Sequence, residues 1–243
     1  MIYQLDPKII GFPDPREGEE DGIFAVGGDL CFERLLLAYE NGIFPWYAYR
    51  KEDNRFLNPD GEPWIQWWCP MKRFVIFPKE IHVSHSMRTL MNKGKYTFSF
   101  NMAFDKVIRY CGSLRENHPG AWLGPHIIEV YTDLHKKGFA TSVEVWDMPQ
   151  PEEVKEPEKW FFNDQGLRMV GGLYGVNIGK SFIGESMFSL VPSGSKLALI
   201  FLAKWMEEQG LNMIDCQLYT EHLASMGGRY ISYDEYMKIL NDY

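Results

Sequence analysis

Two apolar runs, Arg168–Val176 and Ser181–Met187, face each other across the turn sequence Asn177-Ile178-Gly179-Lys180. Apolar segments bracketing a short turn that contains Asn and Gly read as an antiparallel hairpin. Ser193 or Ser195 then caps a helix that Gly210 ends. The apolar run Met213–Leu218 beyond it reads as a further strand. Ahead of the hairpin, Asn101 caps a helix that ends near Gly112. Pro125 opens another, stopped by Lys136, Lys137 and Gly138, and Thr141–Val145 alternates as a strand. Thr220 starts a short helix ended by Gly227-Gly228, and Ser232-x-x-Glu235 is a capping box for the last one. Helix, helix, strand, hairpin, helix, strand, helix is a mixed α/β (α+β) pattern around one sheet.

The N-terminal part is different. Asp29 caps a helix running to about Asn41, with Gly42 as its stop and Pro45 beyond, and Trp64–Trp68 reads as a strand. We expect a small N-terminal domain over residues 1–73 and a mixed-sheet domain over residues 74–243. Residues 147–166 are acidic and carry several prolines, which predicts a solvated surface excursion. A chain of 243 residues has room for both units and a full core. No apolar run approaches the roughly 18 residues of a membrane span. Met1–Ile10 lacks the basic start and apolar stretch of a secretion signal. Cys31, Cys69, Cys111 and Cys216 are widely separated, as in reduced cytoplasmic proteins, and give no zinc spacing. His82 and His85 have no acidic or thiol partner nearby, so no metal site is expected.

Several short segments bear on chemistry. Asp215 and Gln217 interrupt an apolar strand one residue apart, which places both on the same face. Such a pair needs partners: it either fixes strand register or forms a reaction centre on a rigid element. Gly184-Glu185-Ser186-Met187-Phe188-Ser189, a second unusual segment, favours the reaction centre. Gly175–Ser181 approaches a phosphate-binding loop but has three residues between its glycines where four are needed. It also runs into a strand, so a hairpin turn is the better reading. Arg168-Met169-Val170-Gly171-Gly172-Leu173 resembles the pyrophosphate loop of coenzyme-A acetyltransferases, but Leu173 stands where a small residue is expected, which argues against coenzyme A.

The formal net charge of −8 argues against a general nucleic-acid binder without excluding a local basic face. Lys72, Arg73, Lys79, Arg88, Lys93 and Lys95, with His82 and His85 among them, form such a stretch, and Glu80 is its single acid. It reads as an ordinary solvated face or as a set of phosphate contacts. Trp46 and Trp122 lie beside Gly or Pro on loop-like sequence. Each is a core Trp by default; together they could sandwich a nucleobase.

The hairpin–helix–strand–helix portion is similar to the core of the acetyltransferase (acyl-CoA N-acyltransferase) superfamily, a likeness of fold and not of function. A closer resemblance rests on Gly27-Gly28-Asp29-Leu30, Tyr39, Gly42-Ile43-Phe44-Pro45-Trp46, Trp67-Trp68-Cys69-Pro70, Ser142–Trp146, Gly171–Val176, Gly184–Ser189, Ser195-Lys196 and Ile214–Gln217. In that order, over about residues 10–240, the chain resembles the leucyl/phenylalanyl-tRNA–protein transferases. The resemblance implies transfer of Leu or Phe (possibly Met) from Leu-tRNA or Phe-tRNA to proteins with N-terminal Arg or Lys, which marks them for N-end rule degradation. It implies no cofactor and a cytoplasmic location.

It also implies roles. Trp46 and Trp122 would flank the terminal adenine of the tRNA. Leu173, Ile183, Met187, Leu199, Leu202 and Ile214 would wall the aminoacyl pocket, an adaptable surface for Leu and Phe. Glu185 and Ser189 would bind the acceptor or its amine. The basic residues between Lys72 and Lys95 would meet tRNA phosphates. Asp215 and Gln217 would be catalytic. The reaction is ester aminolysis, and an α-amine near pKa 7.7–8.0 must first lose a proton. Gln217 is neutral and can only orient the amine. Asp215 can hold Gln217, polarise it, or act as base, and the ribose hydroxyl can instead relay the proton. Residues 50–62 and 148–166 look like insertions relative to shorter members, and His85 and Thr89 stand where arginines are expected. Two other classes fit parts of the pattern: a coenzyme-A-dependent N-acetyltransferase, and a non-catalytic module that binds charged tRNA or Arg-initiated peptides.

Overall fold

The structure is a computed structural model that describes residues 1–46, 56–59, 61, 63–113 and 125–242. The N-terminal part contributes β1 (Tyr3–Leu5), β2 (Ile23–Gly27), α1 (Phe32–Glu40), β3 (Phe44–Pro45) and β4 (Gln66–Trp68). Their strands form one sheet in the order β1-β2-β4-β3, with β1 and β2 parallel. The remainder runs β5 (Lys72–Ile76), α2 (His85–Asn92), β6 (Tyr96–Phe100), α3 (Phe104–Ser113), α4 (Pro125–Lys136) and β7 (Ala140–Asp147). It continues with β8 (Arg168–Ile178), β9 (Ser181–Ser189), α5 (Gly194–Glu208), β10 (Met213–Asp215), α6 (Glu221–Ser225), β11 (Arg229–Ser232) and α7 (Tyr233–Leu240). These strands make a second, seven-stranded sheet in the order β11-β5-β10-β9-β8-β7-β6. The fold is therefore the expected α/β class, a small N-terminal sheet unit followed by a mixed sheet.

Helices cover both faces of the large sheet, which is why its central strands are buried along most of their length. One core lies between the sheet and the N-terminal unit with α3, α4 and α7, and includes Tyr39, Trp67, Val107, Tyr131, Tyr174 and Tyr236. The other lies under α5, with Met87 of α2 and Leu223 of α6 at its flanks.

Two irregularities create the site. First, β9 and β10 pair in parallel only from Met213↔Ser181 to Asp215↔Ile183. β9 runs on to Ser189 while β10 ends at Asp215, so the two segments part and open a cleft. Second, β9 carries a bulge: Tyr174 pairs with Ser186 but Gly175 pairs with Gly184, which leaves Glu185 as the extra residue. An inserted residue reverses the in/out alternation beyond it. Ile183 accordingly packs in the core with Tyr131 and Tyr174, whereas Met187 packs on the α5 side.

Several sequence expectations change here. The strand ends at Asp215, and Gln217 has a left-handed backbone (φ 63°), so the two do not share a strand face. Asp29 does not cap α1 directly; its carboxylate accepts from the Cys31 amide and pairs with Arg34 Nε at 2.9 Å. Asn101 does not cap α3: its side chain accepts from the Ser142 amide, while buried Glu144 accepts from the Met102 and Ala103 amides just before the helix. The acidic excursion is stitched to the sheet. Arg168 pairs with Asp147 at 2.8 Å, donates to the Glu153 carbonyl, and stacks on Trp160 at 4.4 Å. Among the described residues, no helix is long and apolar enough to cross a membrane. Nor do any three or more His, Cys, Asp or Glu among them cluster to hold a metal.

Candidate active site

Arg73 reaches the cleft from β5, the antiparallel neighbour of β10. It is 1% exposed and Asp215 is 0% exposed, so neither ion is solvated and each depends on the other. Arg73 Nε donates to Oδ1 at 2.9 Å and to Oδ2 at 3.0 Å, and Nη2 donates to Oδ2 at 2.8 Å. The Phe44 and Tyr236 rings each lie 4.7 Å from the guanidinium carbon. Tyr236 Oη donates to Oδ2 at 2.9 Å, and the Gln217 amide donates to Oδ1 at 2.7 Å. A carboxylate offers about four lone-pair directions, and these donors fill them. Arg73 is thus removed from the expected tRNA-phosphate contacts: a guanidinium enclosed by two rings and a carboxylate presents no donor to solvent.

The Asp215 bond to the Gln217 amide helps hold that residue in its left-handed turn. There its side chain swings across the cleft, and Nε2 donates to Glu185 Oε1 at 3.0 Å. The β9 bulge presents Glu185 from the other wall. Tyr39 of α1 donates to Oε1 at 2.8 Å and Tyr131 of α4 donates to Oε2 at 3.1 Å. Burial, opposed by the hydrogen bonds from Tyr39, Tyr131 and Gln217 and reinforced by the nearby Asp215 charge, leaves the Glu185 carboxyl pushed up to about 7. With a folded-state pKa above the unfolded value near 4.5, Glu185 binds more protons folded than unfolded. Its contribution to stability is therefore greatest below about pH 4.5 and is lost as pH rises through about 7. Denaturant titrations should show this decline in the wild-type protein, and Glu185→Gln should flatten it over that window.

Between these walls lies a cavity of about 170 Å³. Leu173, Met187, Leu199 and Ile214 line its apolar part, together with Phe182 and Leu223; Glu185, Ser186, Gln217 and Thr220 give its polar part. Four of the six expected pocket residues therefore meet in one place. Ile183 does not, because the bulge puts it on the opposite face. Leu202 lines a separate cavity of about 190 Å³ with Phe100 and Trp205, since it lies further along α5.

Ser189 is exposed at the end of β9, where its Oγ accepts from the Ser195 amide at 2.7 Å. It satisfies the start of α5, whose N-cap Ser193 makes no side-chain capping bond, and it stands apart from Glu185. Trp46 is half-buried with its ring edge-on to Trp68 at 5.1 Å. Trp122 lies outside the described residues. Lys72, Lys79, Arg88, Lys93 and Lys95 are exposed. Lys95 is engaged by Asp147 and Glu153, at 3.7 and 3.5 Å. Sequence reasoning missed Tyr131 and Tyr236: each is one aromatic on a helix, and only the tertiary arrangement brings them to the carboxylates.

A family model described as leucyl/phenylalanyl-tRNA protein transferase matches residues 75–152 and 157–241. The N-terminal domain model of the same family matches residues 28–71. A protein named leucyl/phenylalanyl-tRNA–protein transferase from Flavobacterium psychrophilum is 44% identical over 95% of this chain and 96% of its own length. One from Flavobacterium johnsoniae is 42% identical over 96% of each chain. One from Cellvibrio japonicus is 40% identical over 99% of this chain and 90% of its own.

Proposed function

Because the chain belongs to the leucyl/phenylalanyl-tRNA–protein transferase family, we propose that it moves the leucyl or phenylalanyl group from its tRNA to the α-amine of proteins that begin with Arg or Lys. The observation that carries this reading is the cleft where β9 and β10 part, apolar on one side and lined by Glu185 and Gln217 on the other. An apolar aminoacyl side chain fits between Leu173, Met187, Leu199 and Ile214. Its ester then lies at the polar mouth, where the acceptor must arrive.

Asp215 has the environment of a positioning group. Its oxygens are filled by Arg73, Tyr236 and the Gln217 amide, so it holds Gln217 and has no free lone pair to take a proton. Gln217 uses Nε2 on Glu185, and its Oε1 is the atom offered to the acceptor amine. In its ionised form Glu185 supplies negative charge for a cationic acceptor. Holding amine and ester together converts a bimolecular encounter into a local one, a large part of what such a site can contribute. Addition of Leu or Phe would mark the acceptor for N-end rule degradation.

Trp46, with Trp122, is the proposed seat of the terminal adenine. Trp46→Ala should raise the KM for Leu-tRNA about 10- to 100-fold, the equivalent of about 1–3 kcal/mol of lost stacking, with little change in melting temperature. Unchanged kinetics would remove Trp46 from that role. Lys72, Lys79, Arg88 and Lys93 are the proposed phosphate contacts, and each replaced by Gln should lower the salt slope of tRNA binding by about 1.

The reaction is tested by transfer of radiolabelled leucine from Leu-tRNA to a peptide beginning with Arg, beside one beginning with Ala. Labelling of the Arg peptide alone is expected. Binding of Leu-tRNA without labelling would leave a binding module in place of an enzyme.

A further inference from the structure

We propose that Tyr39, Tyr131 and Glu185 form a closed hydrogen-bonded ring that takes up the proton lost by the acceptor's α-ammonium group. The inference rests on the transfer reaction proposed above and identifies where its proton goes. Three oxygen pairs make the ring: Tyr39 Oη to Tyr131 Oη at 2.5 Å, Tyr39 Oη to Glu185 Oε1 at 2.8 Å, and Tyr131 Oη to Glu185 Oε2 at 3.1 Å. Each pair needs one proton between its oxygens. Two phenols supply two. With an ionised Glu185, one pair would face each other with no proton between them. A third proton, on the carboxyl group, completes the ring.

The surroundings favour that third proton. Tyr39 is 1% exposed, Tyr131 0% and Glu185 9%, so water does not solvate a charge there. Among the described residues, the groups that face Glu185 are Tyr39 of α1, Tyr131 of α4, Gln217 and the Asp215 carboxylate of β10; Tyr174 of β8 packs on Tyr131 at 5.6 Å. The nearby cation, Arg73 of β5, is bound to Asp215. Glu185 also lines the cavity, so the ring is reached from the site where the acceptor would stand.

The ring in its two-proton form accepts a proton from the ammonium group held at Gln217 Oε1. The neutral amine attacks the ester carbonyl carbon, the C–N bond forms, and the C–O bond to the ribose breaks. The second proton lost by nitrogen ends on the ribose oxygen. The ring returns its own proton to solvent before the next turnover. A store that titrates near neutrality suits an amine with a reference pKa of about 7.7–8.0.

The test is infrared difference spectroscopy of the whole protein, without substrate, between about pH 5.5 and about pH 8.5. A buried carboxyl C=O band should titrate near neutrality and be absent in Glu185→Gln. In Tyr39→Phe, which opens the ring, the midpoint should move. The pH profile of single-turnover leucine transfer should rise through the wild-type midpoint and move with it in Tyr39→Phe. Absence of a titrating carboxyl, or a transfer profile unmoved in Tyr39→Phe, overturns the proposal. A wild-type protein whose band titrates as expected but that transfers nothing overturns the assigned reaction, not the ring.

Discussion

Arg73→Ala is expected to destabilise the protein by about 3–5 kcal/mol, enough to unfold much of a typical domain. Among the described residues the guanidinium is the cation bonded to the fully buried Asp215, and its loss strands that carboxylate in the core. It would also remove the contact that Phe44 and Tyr236 make across the N-terminal unit and α7. Exposed neighbours such as Lys79 should change stability by no more than about 0.5 kcal/mol when replaced. Thermal and urea melts check both. A stable Arg73→Ala protein with a lower salt slope for tRNA binding would return Arg73 to the surface role its sequence context suggests.

Gln217→Asn should lower leucine transfer about 100-fold while leaving Leu-tRNA binding and melting temperature close to wild type. Asn tolerates the left-handed backbone that Gln217 adopts at φ 63°, so the turn and its amide bond to Asp215 survive. Only the reach changes. Asn draws the amide back by one methylene, about 1.5 Å, away from Glu185 and from the acceptor, and misplacement on the order of 1 Å can cost that much rate. Gln217→Ala mixes this loss with backbone strain of about 1–2 kcal/mol. Stopped-flow or quenched transfer at saturating Leu-tRNA, with binding measured separately, makes the distinction. If Gln217→Asn transfers at the wild-type rate, the side chain does not orient the amine.

The hairpin was legible because its turn carries local chemistry. Asn177-Ile178-Gly179-Lys180 and the apolar runs on either side are enough, and β8 and β9 form there. The caps at Thr220 and Ser232 are equally local, each accepting from the amide three residues on. β6 alternates as Tyr-Thr-Phe-Ser-Phe and could have been found from that pattern. β5 was hidden because its basic start resembles a surface run, and only its pairing with β10 and β11 shows that Arg73 points inward. Ile183 illustrates a different limit. Strand alternation places it with Met187, and the single extra residue at Glu185 reverses that parity. Nothing in the local composition announces the bulge. Asp215 and Gln217 stand out in the sequence as a polar pair in an apolar run, yet their relation is through a turn and a backbone amide, not a shared strand face. Membership of the transferase family removes the coenzyme-A reading that the glycine loop around Leu173 left open.

The cleft between β9 and the end of β10 is the proposed seat of the aminoacyl group. A crystal structure of the protein soaked with an amide-linked leucyl-adenosine, which mimics the charged 3′ end but cannot be hydrolysed, tests it most directly. The leucyl side chain is expected between Leu173, Met187, Leu199 and Ile214, with its carbonyl at the mouth beside Glu185 and Gln217. A leucyl group in the separate cavity beside Leu202, or anywhere that leaves this cleft empty, would contradict it.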